Sequence, residues 1–118
     1  MRKEHSTNTL NEIHIHNSCS LQYAVDLISK RWSLIILCRL QKGKMRFNEL
    51  YKSIDKITER MLSLRLKELE NQKLIKKEII YQVPLNTEYE LTELGLKLSN
   101  TFNELRAFGE IHKKALKK

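Results

Sequence analysis

Residues 47–72 read Phe47-Asn48-Glu49-Leu50-Tyr51-Lys52-Ser53-Ile54-Asp55-Lys56-Ile57-Thr58-Glu59-Arg60-Met61-Leu62-Ser63-Leu64-Arg65-Leu66-Lys67-Glu68-Leu69-Glu70-Asn71-Gln72, and two helical periods can be counted along them. Phe47, Leu50, Tyr51 and Ile54 share one face of a helix two turns long. Thr58 is placed to cap a second, longer helix whose Leu62, Leu66 and Leu69 form an inward stripe. The link between the two leaves room only for a tight turn, so the pair is expected to be a helix-turn-helix. At about 100° per residue, Arg60, Leu64, Lys67 and Asn71 lie opposite the leucine stripe, with Ser63 on its flank. Thr58 and Glu59 stand at the helix start.

Upstream, Leu21, Val25 and Ile28 recur at helical spacing behind Ser20, which predicts a first helix over residues 20–29 with Ser20 as its cap. Trp32, the run Leu34-Ile35-Ile36-Leu37 and Leu40 form the most apolar stretch of the chain and predict a central core helix stopped at Gly43. A short extended piece over residues 44–46 follows. Downstream, residues 74–81 and 88–91 are β-branched or alternating, and Val83-Pro84-Leu85-Asn86-Thr87 between them confines the single proline to the connection. They predict a hairpin, or wing. Thr92 then caps one last helix, over about residues 92–113, in which Leu94, Leu98, Leu105 and Phe108 approximate a heptad seam with Phe102 and Ile111 beside them. That seam is wider than one small core requires and is expected to meet a partner helix, most simply that of a second copy. Residues 1–18 read as a flexible polar arm and residues 114–118 as a basic tail. The expected fold is therefore mainly α with a small β-hairpin (α+β), a winged helix-turn-helix over residues 19–113.

Composition narrows the function. Among 118 residues, 22 Lys and Arg stand against 14 Asp and Glu, a net charge of +8. Such an excess on a small domain favours a polyanionic partner, because binding releases that partner's condensed counterions. The chain lacks a long apolar run and an apolar signal-peptide core, so neither membrane contact nor export is expected and the cytoplasm, at the nucleoid, is the expected location. With three Gly, a phosphate-cradling glycine loop is excluded. No nucleophile elbow or paired carboxylates can be read, so an enzyme is not expected, and no cofactor is either. His14, His16 and Cys19 have the chemistry of metal ligands, but three such groups on a flexible arm do not specify a site.

The side chains of the second helix suit double-stranded DNA. Arg60 has a fork that fits guanine O6 and N7, and Glu59 can accept from cytosine N4. Ser63 can reach a base or a phosphate, and Leu64 is an apolar group on a solvent face that a thymine methyl would match. Singly, each could belong to any solvated helix; grouped at the start of the second helix of a helix-turn-helix, they point to base reading. Lys44 and Arg46 before the first helix of the pair, Lys52 within it, and Lys76 and Lys77 on the hairpin are expected to meet flanking phosphates. Of the two cysteines, Cys19 lies where N–H donors at a helix start make a thiol reactive, and Cys38 sits among leucines as a small core residue.

Four ordered blocks carry a further signal: Lys30-Arg31-Trp32-Ser33-Leu34-Ile35-Ile36-Leu37; Gly43-Lys44-Met45-Arg46-Phe47-Asn48-Glu49-Leu50; Met61-Leu62 with Leu66-Lys67-Glu68-Leu69-Glu70; and Val83-Pro84 with Glu88-Tyr89-Glu90-Leu91-Thr92-Glu93-Leu94-Gly95. In these the chain resembles the HxlR family of bacterial winged-helix transcription regulators over residues 19–112. The resemblance implies a homodimer built on the N- and C-terminal helices, for which Leu21, Leu98, Phe102, Leu105 and Phe108 are the expected contacts. It also implies a pseudo-palindromic operator and control of nearby genes, repression first. Cys19 matches a cysteine with which some members sense oxidants or electrophiles, so a small-molecule signal of that kind is expected. Two departures stand out. After Val83-Pro84 the chain has Leu85 and Asn86 where members often carry a proline and a basic residue, which leaves Asn86 as the wing's polar contact. Where a glycine usually ends the recognition helix stands Lys73, at a cost of about 1 kcal/mol. The rival reading is a winged helix that binds a protein instead of DNA.

Overall fold

The computed structural model of the chain describes residues 19–81 and 86–117. It divides into two compact units, Met1–Leu34 and Ile35–Lys118.

In the first unit, α1 spans Ser20–Ile28. Its cap is Cys19, not Ser20: the backbone of Cys19 is extended, and its Sγ accepts the Gln22 N–H at 3.4 Å. Sulfur is a weaker acceptor than a hydroxyl, but the chain turns into the helix one residue earlier than the sequence suggests. Inside α1, Gln22 Nε2 donates to Asp26 Oδ1 at 2.9 Å, one turn apart. Past its end Trp32 takes a positive φ of 81°, rare for a bulky residue, with the Arg31 guanidinium 4.6 Å from its ring centroid.

The unit boundary falls inside α2, Ser33–Leu40. In the second unit, Ile36, Leu37 and Leu40 of α2 are buried. Gly43 then turns the chain at φ +136°, which a side chain would oppose. After β1, Met45–Arg46, comes α3, Phe47–Ser53, whose Leu50 is fully buried. A turn with Lys56 at φ +70° leads to α4, Glu59–Asn71. The hairpin follows as β2, Ile75–Ile80, and β3, Asn86–Leu91. The three strands form an antiparallel sheet ordered β1-β3-β2, so the short strand before α3 extends the hairpin. Ile75, Tyr89 and Leu91 face inward with Leu62, Leu66 and Leu69 of α4, which closes the core. Burial, with Glu70 nearby, pushes the Tyr89 phenol up from its ordinary pKa. This order of elements is a winged helix-turn-helix, mainly helical with a small sheet.

Three further expectations change. The last helix is two, α5 over Glu93–Asn100 and α6 over Phe102–Leu116. At Thr101 the N–H and the hydroxyl both donate to the Leu98 carbonyl, at 3.0 and 2.6 Å, which tightens one turn and interrupts the ladder. The second helix runs through Lys113 and Lys114 to Leu116, so most of the expected tail is helical. Asn86, expected in the hairpin connection, opens β3 opposite Ile80. Residues 82–85, the wing tip, lie outside the described residues, as does the arm with His14 and His16.

Candidate nucleic-acid interface

The expected recognition surface lies on α4, and both ends of that helix are fixed by local chemistry. Thr58 Oγ1 accepts the Met61 N–H at 3.0 Å, and Glu59 adds an acidic group to the first turn, where it complements the helix dipole. At the other end Lys73 adopts φ +63°, its N–H donates to Glu70 O at 2.9 Å, and the Leu74 N–H reaches back to Leu69 O at 3.0 Å. This is a Schellman motif closed by the buried pair Leu69 and Leu74, made by a lysine where glycine would be unstrained. Thr92 then ties the junction to α5. Its hydroxyl donates to Lys73 O at 2.6 Å and its N–H to Leu74 O at 3.0 Å.

Between those ends the helix presents two faces. Leu62, Leu66 and Leu69 are 0–1% exposed, whereas Thr58, Glu59, Arg60, Ser63, Lys67 and Asn71 are exposed and Leu64 keeps 47% of its surface. The expected reading face is thus brought together on one side of one helix. Arg65, between the faces, is ion-paired to Glu68 at 3.0 Å. Arg39 was not singled out by the sequence; its Nε and Nη2 donate to Ser53 O at 3.3 and 3.1 Å, which satisfies the last turn of α3 and holds it against α2.

The flanking cations are placed differently from one another. Lys52 and Lys77 are exposed. Lys44 Nζ lies 3.9 Å from Glu78 Oε1, Arg46 Nε 3.9 Å from Glu88 Oε2, and Lys76 Nζ 3.6 Å from Glu90 Oε2. The backbone N–H of Arg46 also donates to Glu49 Oε1 at 2.7 Å at the start of α3. Glu78, Glu88 and Glu90 were missed in sequence, although counting the hairpin register would have placed Glu90 opposite Lys76 and Glu88 opposite Glu78.

Cys19 is exposed at the start of α1. Cys38 is only half-buried, and Arg106 Nη2 approaches its Sγ to 3.9 Å, so it is less enclosed than a core residue. Of the expected dimer contacts, Leu21, Leu105 and Phe108 are open at 73, 56 and 60%, and Leu98 is half-buried. Phe102 is 3% exposed and corrects the expectation, because the tightened turn at Thr101 carries its ring into the chain's own core. No helix of the described residues is long and apolar enough to cross a membrane.

Comparison with known proteins gives the same picture. A family model described as HxlR-like helix-turn-helix matches residues 27–117. The uncharacterized HTH-type transcriptional regulator YdeP of Bacillus subtilis is 41% identical over 100 residues, covering 85% of this chain and 78% of the relative. Among solved structures, the redox regulator HypR in its reduced form superposes with a TM-score of 0.77 at 35% identity, over 83% of this chain and 97% of that one. The reduced form of the transcriptional regulator YodB from B. subtilis gives 0.72 at 34% identity, over 78 and 91%.

Proposed function

This chain belongs to the HxlR-like helix-turn-helix family of transcriptional regulators, and from that premise we propose that it is a sequence-specific repressor that binds a pseudo-palindromic operator as a homodimer. The observation that carries the proposal is α4: three buried leucines fix its rotation, and Arg60, Ser63, Leu64 and Lys67 stand together on the opposite face. In a helix-turn-helix that face enters the major groove. Arg60 would fork onto a guanine, Leu64 would cover a thymine methyl, and Ser63 and Lys67 would hold base edge or phosphate. Thr58 and Glu59 sit at the helix start, where the first base pair is met. Lys52, Lys77 and Asn86 belong to the flanking backbone contacts. Repression is the sense assigned, since occupancy of an operator by itself excludes a polymerase.

The second copy would dock on the apolar face of α6 around Leu105 and Phe108, with Leu98 at its edge and Leu21 of α1 as a further contact. A homodimer reads two half-sites one helical turn apart, which matches a pseudo-palindrome. For the signal, we assign an oxidant or electrophile acting at Cys19. Support comes from the exposure of that thiol at a helix start and from the two neighbours, HypR being described as a redox regulator and YodB having also been solved with a quinone bound.

The test is a fluorescence-anisotropy titration of the reduced protein against the DNA upstream of its own gene and against random duplex of equal length at fixed salt. Preference for the upstream DNA by about a thousandfold supports the proposal. Arg60→Ala should then relax base preference at one half-site position. Equal binding of both duplexes, unaltered by Arg60→Ala, would overturn base reading and favour a protein partner. Cys19→Ser should abolish any effect of an added quinone or peroxide. An upstream reporter that falls in activity on deletion of the gene would refute repression.

A further inference from the structure

The face of the sheet opposite the core is electrically neutral in a protein whose net charge is +8. On that face the register sets Arg46 opposite Glu88, Lys76 opposite Glu90 and Glu78 opposite Glu88. Two carboxylates directly across a strand pair repel each other. Here the repulsion is relieved from both sides, Lys44 lying 3.9 Å from Glu78 and Arg46 3.9 Å from Glu88, and the row continues to Lys76 at 3.6 Å from Glu90. Three cations are thus matched by three carboxylates in one ladder across all three strands. Drawing Lys44 or Arg46 away to a phosphate would restore the Glu78–Glu88 repulsion and set both carboxylates beside a polyanion.

We propose that Glu78, Glu88 and Glu90 are specificity-determining residues: by holding Lys44, Arg46 and Lys76 in a neutral ladder they suppress sequence-independent binding of the sheet to phosphate. The inference rests on the DNA-binding reading above and deepens it. Non-specific affinity for DNA comes almost wholly from cations that neutralise phosphates, whereas specificity comes from base contacts. A sheet with three free cations would strengthen binding to every sequence alike and dilute what α4 reads. With the ladder closed, the exposed cations of the reading helix and Lys77 carry the contact. Any engagement of the ladder's cations must then be driven by a close fit at the correct site.

The experiment compares the full chain with a ladder variant, Glu78→Gln, Glu88→Gln and Glu90→Gln together. The control is a charge-matched triple, Asp55→Asn, Glu93→Gln and Glu104→Gln, at exposed carboxylates away from the ladder. The probe is a duplex of random sequence, titrated by anisotropy between about 50 and 200 mM salt. Each freed cation that meets a phosphate steepens the slope of log affinity against log salt by about 0.9. The ladder variant should therefore bind random duplex more tightly than the control and exceed its slope by up to about 2.7, an extra loss of up to about fortyfold over that salt range. Circular dichroism checks its folding, and Glu78→Gln alone should show about a third of the steepening.

Binding by the ladder variant where the wild type shows none also supports the inference. Equal slopes for ladder variant and control, with the wild type binding DNA, would overturn the ladder and leave base reading intact. No binding of the random duplex by any of the three would overturn the ladder, and the DNA-binding reading falls with it only if the upstream duplex is left unbound as well.

Discussion

Gly95 is where one methyl group should cost the most. A β-carbon there would overlap the Leu74 carbonyl oxygen and stand 3.1 Å from its carbonyl carbon and 3.2 Å from Leu91 Cδ2. The obstacle is backbone, so no rotamer change can relieve it. The start of α5 must retreat until an ordinary carbon–oxygen contact of about 3.3 Å is restored. That movement draws Thr92 N–H from Leu74 O and Thr92 Oγ1 from Lys73 O, bonds of 3.0 and 2.6 Å. Two bonds at about 0.5–1.5 kcal/mol each, with about 1–3 kcal/mol of overpacking, oppose a helix-propensity gain of about 1 kcal/mol for alanine over glycine. Gly95→Ala should thus lose about 3 kcal/mol of stability, within a range of about 1–5.

Gly109 supplies the control. It lies inside α6 with nothing of its own chain within 4 Å of its would-be β-carbon, so Gly109→Ala, read in a Leu105→Glu background that keeps the second copy away, should gain about 0.5–1 kcal/mol from propensity. Urea unfolding followed by far-UV circular dichroism, at matched protein concentration because association shifts apparent stability, measures both. The same substitution in neighbouring helices is expected to act with opposite signs. If Gly95→Ala matched the wild type or gained stability beside Gly109→Ala, the close approach of α5 to Leu74 would be refuted.

Lys73→Gly should stabilise the fold by about 0.5–1 kcal/mol in the same assay, since glycine takes a positive φ without strain; a loss would mean that the Schellman turn is not limiting. Tyr89 should make stability depend on pH only in alkali. Its phenol is held protonated in the folded state, so its contribution is whole below the unfolded pKa of about 10 and is lost as pH rises past it. The stability of the wild type relative to Tyr89→Phe should be constant from neutrality to about pH 9 and fall above, and a constant difference throughout would show that the phenol is not held. Leu105→Glu should convert a homodimer to monomer in sedimentation without loss of helix content, because Leu105 is 56% exposed in the single chain. A variant that still sediments as a dimer would place the interface elsewhere.

Much of the candidate site could be read directly. The rotation of α4 follows from the spacing of Leu62, Leu66 and Leu69, and its start from Thr58, because both depend on residues within two turns of each other. The hairpin and the helix pair before it were legible for the same reason, and the four family blocks strengthened what periodicity had already placed. Even the strained Lys73 could be expected, since a helix that must stop there has few ways to do so.

Other features turned on small local margins. The sequence names Ser20 as the cap, but α1 starts one residue earlier than that and the Cys19 sulfur takes the capping place. Apolar periodicity runs unbroken through Thr101, so the turn tightened onto Leu98 left no mark on the pattern, yet it moved Phe102 from an expected dimer seam into the core.

What the sequence by itself determined is the order of helices and strands, which face of α4 is buried and what chemistry the other face offers, because these are set by contacts between near neighbours along the chain. Only the tertiary structure decided that Lys44 meets Glu78, that Arg46 meets Glu88 and that Gly95 must be glycine. Residues 34, 42 and 21 positions apart are brought together there by strand register and by where one carbonyl comes to rest. The hairpin's own register is written in the alternation of Tyr89 and Leu91 with Glu88 and Glu90, but the pairing of β1 with β3 and the approach of α5 to Leu74 join distant segments and are recorded in no neighbouring residues.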